Sequence, residues 1–342
     1  MKAAGEEFGL LHRMKMTQEK KLVFQAALAL AIVTAGLAGC SRHGGVVGST
    51  DKKFTVNGPV RLEIANGSGD TRVTAGPSGE VRIHAVFHVH SWPWRTAQSR
   101  LQDLTSNPPM SQQGNLIRVG GYGPGTSNAT VDYMIVAPAE TQVRASTGSG
   151  SIEVVGIRGP ANFLTGSGAI SATNVTGDVQ ASTGSGTVQL TAIQGQALAT
   201  TGSGAISAAD IHGDIRASTG SGAIRIAGPG NAVVLATGSG DVNVAGAASD
   251  LRVRTASGNI TVNGDPLATT YWDFRAASGN VTLQVSPAAS FRLYARSKSG
   301  DIDAAIPIAM EGTTGKHELR ARIGDGKARV EVETTSGRIA LR

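Results

Sequence analysis

The sequence predicts an all-β fold, a parallel β-solenoid (β-helix) with two strands in each 18-residue coil. Three observations carry this. Glycines close a Thr-Gly-Ser-Gly turn (Thr-Ala-Ser-Gly in the last case) every 18 residues at Gly150, Gly168, Gly186, Gly204, Gly222, Gly240 and Gly258. A second turn at Gly159, Gly177, Gly195 and Gly213 halves the units, and residues between turns alternate apolar and polar, as in Val179-Gln180-Ala181 and Ile215-Arg216-Ala217. Such alternation over a short span marks a half-buried strand. Finally, 46 of the 342 residues are glycine and only 4% are aromatic, so any core is thin and built from small and β-branched side chains. Collagen is excluded because no Gly-X-Y period accompanies the glycine, and a disulfide scaffold because there is one cysteine. Stacked at the interstrand distance of ~4.8 Å, about ten coils make a rod of roughly 50 Å. Right-handed winding is the expectation.

Residues 1–39 read as a signal peptide. Lys15, Lys20 and Lys21 precede an apolar stretch from Leu22 to Ala38, with Met14 or Met16 as alternative starts to Met1. The stretch ends in Leu37-Ala38-Gly39-Cys40, which resembles the lipobox of bacterial lipoproteins. That resemblance implies lipidation of Cys40 by a diacylglyceryl thioether and an N-acyl chain such as palmitate, and several chains anchor a protein stably. With Ser41 next, it also implies the outer membrane. The alternative is a transmembrane anchor, since the apolar run sits at the lower end of the spanning range. Without residues 1–39 the chain keeps 26 basic and 22 acidic residues. So mild a charge, with no basic run, argues against nucleic acid as partner.

Residues 40–53 are Gly-rich and polar and read as a flexible tether. Residues 54–342 form the solenoid domain, opening with alternating segments over 54–86 and an echo of the repeat at Gly69. The pattern breaks in an irregular excursion over 87–129, which carries Trp92, Trp94, Tyr122 and a short helix from Thr96 to Thr105. It resumes at Val131–Val136. In the array Ile152, Ile170, Val188, Ile206, Ile224, Val242 and Ile260 form one inward column. The turn residues stack as polar files, represented by Thr165, Ser167 and Gly168 and again by Thr201, Ser203 and Gly204. Stacked hydroxyls bond one another or the corner backbone. After Gly258 the spacing widens through Gly279, Gly300 and Gly337, with Tyr271, Trp272 and Phe274 in one bulge. Gly324-Asp325-Gly326 between Leu319–Ile323 and Ala328–Glu333 predicts a C-terminal capping hairpin that covers the last open edge.

This layout, with repeated Ser/Asn-Gly-x-Ile/Val-x-Val coils behind a secretion signal, resembles the bacterial putative-adhesin domain family of unknown function over roughly residues 54–342. The resemblance implies the fold and an extracytoplasmic setting; fold alone does not give function.

Catalytic chemistry is hard to find. The serine of Gly-Ser-Gly recurs in nearly every coil without a recurring histidine, unlike a nucleophile elbow. Calcium-binding β-rolls share the period but need a carboxylate in each turn, whereas Asp178, Asp214 and Asp241 are scattered. His84, His88 and His90 alternate along one strand and read as a polar outer face; no metal or cofactor is expected. Arg216, Arg225, Arg252, Arg254, Arg275 and Arg296 point outward without concentrating in one or two coils. In a chain so poor in aromatics, Trp92, Trp94, Tyr122 and Tyr133 are the binding-site candidates, with capping of the solenoid end as the alternative. The expectation is a non-catalytic, lipid-anchored cell-envelope protein whose solenoid surface serves adhesion, binding or scaffolding toward an envelope glycan or protein. The alternatives are a polysaccharide-cleaving β-helix enzyme and a periplasmic partner of a signalling system.

Overall fold

The computed structural model describes residues 45–90, 94–121, 129–311 and 315–342, so the signal segment, Cys40, Trp92 and Tyr122 lie outside the described residues. The chain winds into two facing sheets of 14 and 15 strands. Successive strands of the array alternate between the sheets, and each pairs in parallel with the strand 18 residues before it, as Ile206 does with Val188 and Ile215 with Ala197. Leaving aside the antiparallel strands at the edges, each sheet holds twelve parallel rungs. At ~4.8 Å per rung the stack is roughly 58 Å long. The column from Ile152 to Ile260 is at most 1% exposed throughout. Large and small side chains trade within a coil, Phe163 with Ala172 and Ala181 with Leu190.

The Ser-Gly corners are glycine for lack of space. At Gly168, Gly186, Gly204 and Gly222 an added Cβ would lie 1.7–1.8 Å from the carbonyl oxygen of the glycine one coil earlier. Positive φ falls on a different column, 18 residues apart, at Gly156, Asn174, Ala192, Asp210, Gly228 and Gly246. Asn and Asp tolerate that conformation; alanine pays ~1–2 kcal/mol for it. Ala192, at φ 55°, is therefore strained. Ala192→Gly relieves this, less ~0.4–1 kcal/mol for the looser unfolded chain, so a thermal melt should shift upward by about 1–2 °C. A lowered midpoint would contradict the strain.

Both ends are built out of sequence order. The first coil, Val60–Asn66 and Thr71–Gly76, sits between Leu116–Gly120 with Ala129–Pro138 on one side and Thr141–Thr147 with Ile152–Val155 on the other. At the far end the last coil, Ala328–Thr334 and Ile339–Leu341, is wedged between Tyr271–Ala276 with Val281–Gln284 and Phe291–Ser297 with Ile302–Ala304. The corner glycines record the order: Gly337 packs on Gly279, and Gly300 packs on Gly337.

Three expectations are corrected here. Residues 45–53 are no tether: Gly45–Thr55 is an edge strand paired antiparallel along its whole length with Glu80–His90. Its sequence hides this because an edge strand keeps one side polar, and the lack of a Cβ at Gly48 makes room for Leu101 of the helix Trp94–Ser106. The predicted hairpin between 318–323 and 328–334 does not form; Glu318–Ile323 instead turns back on Phe291–Ser297 and pairs with Ala309–Met310. The aromatics near 271 are no bulge either. Trp272 and Phe274 point into the core at 0% exposure, edge to face at 5.9 Å, and the indole N–H donates to the Ser249 carbonyl at 2.7 Å. Among the described residues no helix is long and apolar enough to cross a membrane.

Candidate binding face

The turn files are structural. Thr201 Oγ1 donates to the Gly186 carbonyl of the preceding coil at 3.0 Å and accepts the Gly204 N–H at 3.1 Å; Thr165 does the same between Gly150 and Gly168. Of the two bonding options open in the sequence, the hydroxyls take the corner backbone. Each satisfies a buried donor and a buried acceptor, worth ~1–3 kcal/mol apiece if left unpaired. Ser167 and Ser203 of the same turns are exposed. The turn aspartates serve the backbone too: Asp178 accepts the Gln196 N–H and Asp241 the Asn259 N–H, both at 2.8 Å. On the outer histidine strand, His84 pairs with Asp51 at 2.8 Å and His88 with Asp132 at 3.2 Å.

The aromatic candidates do not assemble into a described site. Trp94 opens the helix Trp94–Ser106, and its side chain lies outside the description. Tyr133 is a correction. It is 1% exposed, between Val131 and Ile135 on the inward side of its strand, and burial pushes its hydroxyl pKa up. It fills the core and offers nothing to a ligand.

The feature that stands out is a group of arginines. Five adjacent strands at the C-terminal end of one sheet, Leu251–Thr255, Tyr271–Ala276, Ala328–Thr334, Phe291–Ser297 and Glu318–Ile323, carry eight arginines and four carboxylates. Strand register sorts their outward positions into three files. The middle file runs Arg252, Asp273, Glu331, Tyr294, Arg320. On one side lie Tyr271, Arg329, Arg292 and Arg322; on the other, Arg254, Arg275, Glu333, Arg296 and Glu318. Three arginines thus stand on consecutive rungs in one flanking file, and Arg254 beside Arg275 in the other. Like charges directly across strands destabilise a sheet.

The acids pin part of this array. Asp273 faces outward yet is only 3% exposed, covered by Arg275 at 3.0 Å and Arg252 at 3.6 Å. Its negative charge raises the Arg275 pKa. Glu331 accepts the Tyr271 hydroxyl at 2.5 Å and pairs with Arg329. Burial and that carboxylate push the Tyr271 pKa up to about 12, while the tyrosine bond and Arg329 hold Glu331 below the usual range. Arg329 and Arg320 also lie over the rings of Tyr271 and Tyr294, at 5.7 and 5.2 Å. Among the described residues, Arg254, Arg292, Arg296 and Lys298 have no acidic partner.

Along the corner beside the second flanking file runs a shallow groove made of two depressions that share Arg254, Thr255 and Ala277. One is lined by small residues from Thr201 to Thr255; the other adds Arg275, Arg296 and Lys298 against the single carboxylate of Glu333. The individual arginines are legible in the sequence, but their concentration is not. It arises because 328–334 slides between 271–276 and 291–297, and counting coil by coil keeps these segments apart.

Residues 137–342 match the family model Toastrack DUF4097, and the chain belongs to that family. No curated protein matches the chain. A solved structure described as a putative cell adhesion protein from Clostridium sporogenes aligns with 86% of this chain and 99% of its own at 10% identity, with a TM-score of 0.20, too low to carry an argument.

Proposed function

We propose that this Toastrack chain is a lipid-tethered, non-catalytic binding module of the bacterial cell envelope that holds an acidic partner on its arginine face. The observation that carries the reading is the pair of flanking files, in which arginines stand side by side at an electrostatic cost and Arg254, Arg292 and Arg296 have no acidic partner among the described residues. An acidic ligand supplies the missing counter-charge. Polysaccharide cleavage fits less well. Asp273 and Glu331 are each held as ion-pair partners, and neither is placed as a proton donor.

The tether rests on the lipobox-like Leu37-Ala38-Gly39-Cys40. The described chain begins with the edge strand Gly45–Thr55 at the end of the stack opposite the arginine face. The anchor would lie in the outer membrane if the cell has one. Cys40→Ala is expected to move the protein from the membrane fraction to the soluble fraction once membranes are washed at high salt, which releases whatever the arginine face alone holds; retention after that wash would refute the lipid anchor. The binding half has its own test in the same cells. Arg254→Glu with Arg296→Glu should abolish co-sedimentation of the Cys40→Ala protein with purified envelopes at physiological salt, leaving its melting temperature within a few degrees. Unchanged co-sedimentation would count against the face.

A further inference from the structure

Taking the acidic-partner reading as its premise, we propose that the corner groove takes a linear acidic polysaccharide laid lengthwise along the solenoid axis. The groove crosses successive rungs from Thr201 to Lys298, so whatever fills it meets a new rung every ~4.8 Å. Arg254 and Arg275 are one rung apart; Arg275 and Arg296 are two, with Glu333 between. Spaced guanidinium forks of this kind match a polymer carrying carboxylates or phosphates at intervals, because each fork takes either group through two parallel hydrogen bonds.

The lining decides among acidic polymers. It consists of Thr, Ala, Gly and Ser with the cations and the one carboxylate of Glu333, and it contains no aromatic side chain. Single-stranded nucleic acid needs aromatic platforms for its bases. The two tyrosines on this face lie outside the groove, already covered by Arg320 and Arg329. An amphipathic helix needs an apolar trough, and a membrane surface needs apolar side chains to insert; the groove offers neither. The threonine file along the groove spends its hydroxyls on the corner backbone, so Ser218 and Thr335 are left to meet a sugar hydroxyl. The low walls of small side chains with rung-spaced cations suit a narrow, regularly charged chain. The alternation of neutral small residues toward Thr201 and cations toward Lys298 gives the site a direction, with acidic groups concentrated at the C-terminal end of the stack.

The test uses the full chain in nonionic detergent and oligosaccharides of graded length. Polygalacturonate supplies the carboxylate and oligomers of a phosphodiester-linked mannan the phosphate; poly(dT) and phosphatidylglycerol vesicles are the competitors. For one of the two glycans the affinity should rise steadily with length and level off once the groove is spanned. It should weaken with salt, as charge neutralisation requires. Arg254→Ala with Arg296→Ala should weaken binding at least tenfold, and the double lysine variant should recover only part of it, since the charge returns without the fork. Affinity independent of length would overturn the lengthwise placement. Binding of poly(dT) or vesicles but neither glycan would overturn the glycan while leaving an acidic partner in place. If no acidic probe binds, the premise falls as well.

Discussion

Gly204→Ala is expected to unfold the centre of the solenoid, although it adds one methyl group. The new Cβ would stand 1.7 Å from the Gly186 carbonyl oxygen and 2.5 Å from its carbon. Neither partner has room to retreat. Gly186 itself rests on Gly168, whose carbonyl an added Cβ at 186 would meet at 1.8 Å. Thr201, which would ease the corner by turning, is buried and holds both neighbouring backbones. The rungs part only if the parallel ladder between Ala197–Thr201 and Val179–Thr183 opens. A loss of about 4 kcal/mol or more follows, in the range reserved for such forced distortions. Because each coil contacts only its neighbours, the melt should also split into phases. Ser203→Ala, one residue away and exposed, is the control and should stay within about 0.5 kcal/mol. Circular dichroism melts decide it: matching curves for the two variants would mean that the coils do not approach this closely.

Deleting residues 327–342 should have a second large effect, out of proportion to its length. A terminal rung normally peels away with little consequence, but this one is interior. Val330, Val332, Ile339 and Leu341 are all at 0% exposure, and each contributes ~1.5–3 kcal/mol by burial. Phe291–Ser297 loses its parallel partner with it and keeps only the antiparallel Glu318–Ile323, while Ile302–Ala304 loses the one described strand it pairs with. Limited proteolysis should then cut within 285–326 while the central coils stay intact. Removal of one whole array unit, residues 183–200, is the comparison. It brings matching corners together, since Gly204 would then stack on Gly168 as Gly186 does now, and should leave a protease-resistant domain. Equal resistance of the C-terminal truncation and the full chain would contradict the wedged coil.

The array was legible because identical corners leave no choice of register: the inward column and the threonine file land where the 18-residue period places them. The helix predicted from Thr96 to Thr105 is observed as Trp94–Ser106. What the period does not encode is the order of rungs where repeats are separated by long connections. Gly69 reads as an echo, yet Gly150 packs directly on it across 81 residues of chain. Gly300 and Gly337 exchange their sequence order in the stack. The arginine face depends on that exchange, so the candidate site was invisible even though Arg252, Arg254, Arg275 and Arg296 were read as pointing outward. Tyr133 shows the converse. Its parity with Val131 and Ile135 marks it as inward, a signal stronger than its aromatic character.

The wedged coils also set a timetable. A chain made from its N-terminus delivers 60–76 first, but that coil's two neighbours, 116–138 and 141–155, arrive later and close on it from both sides. The central coils then add in order. At the far end 291–304 emerges before 328–341, so the slot beside 271–284 is filled last, by a segment whose residues lie 58 positions downstream of their partners. Long-range parallel pairing of this kind is slow because loop closure precedes the contacts that reward it. The arginine face is therefore completed only when 328–334 seats between 271–276 and 291–297.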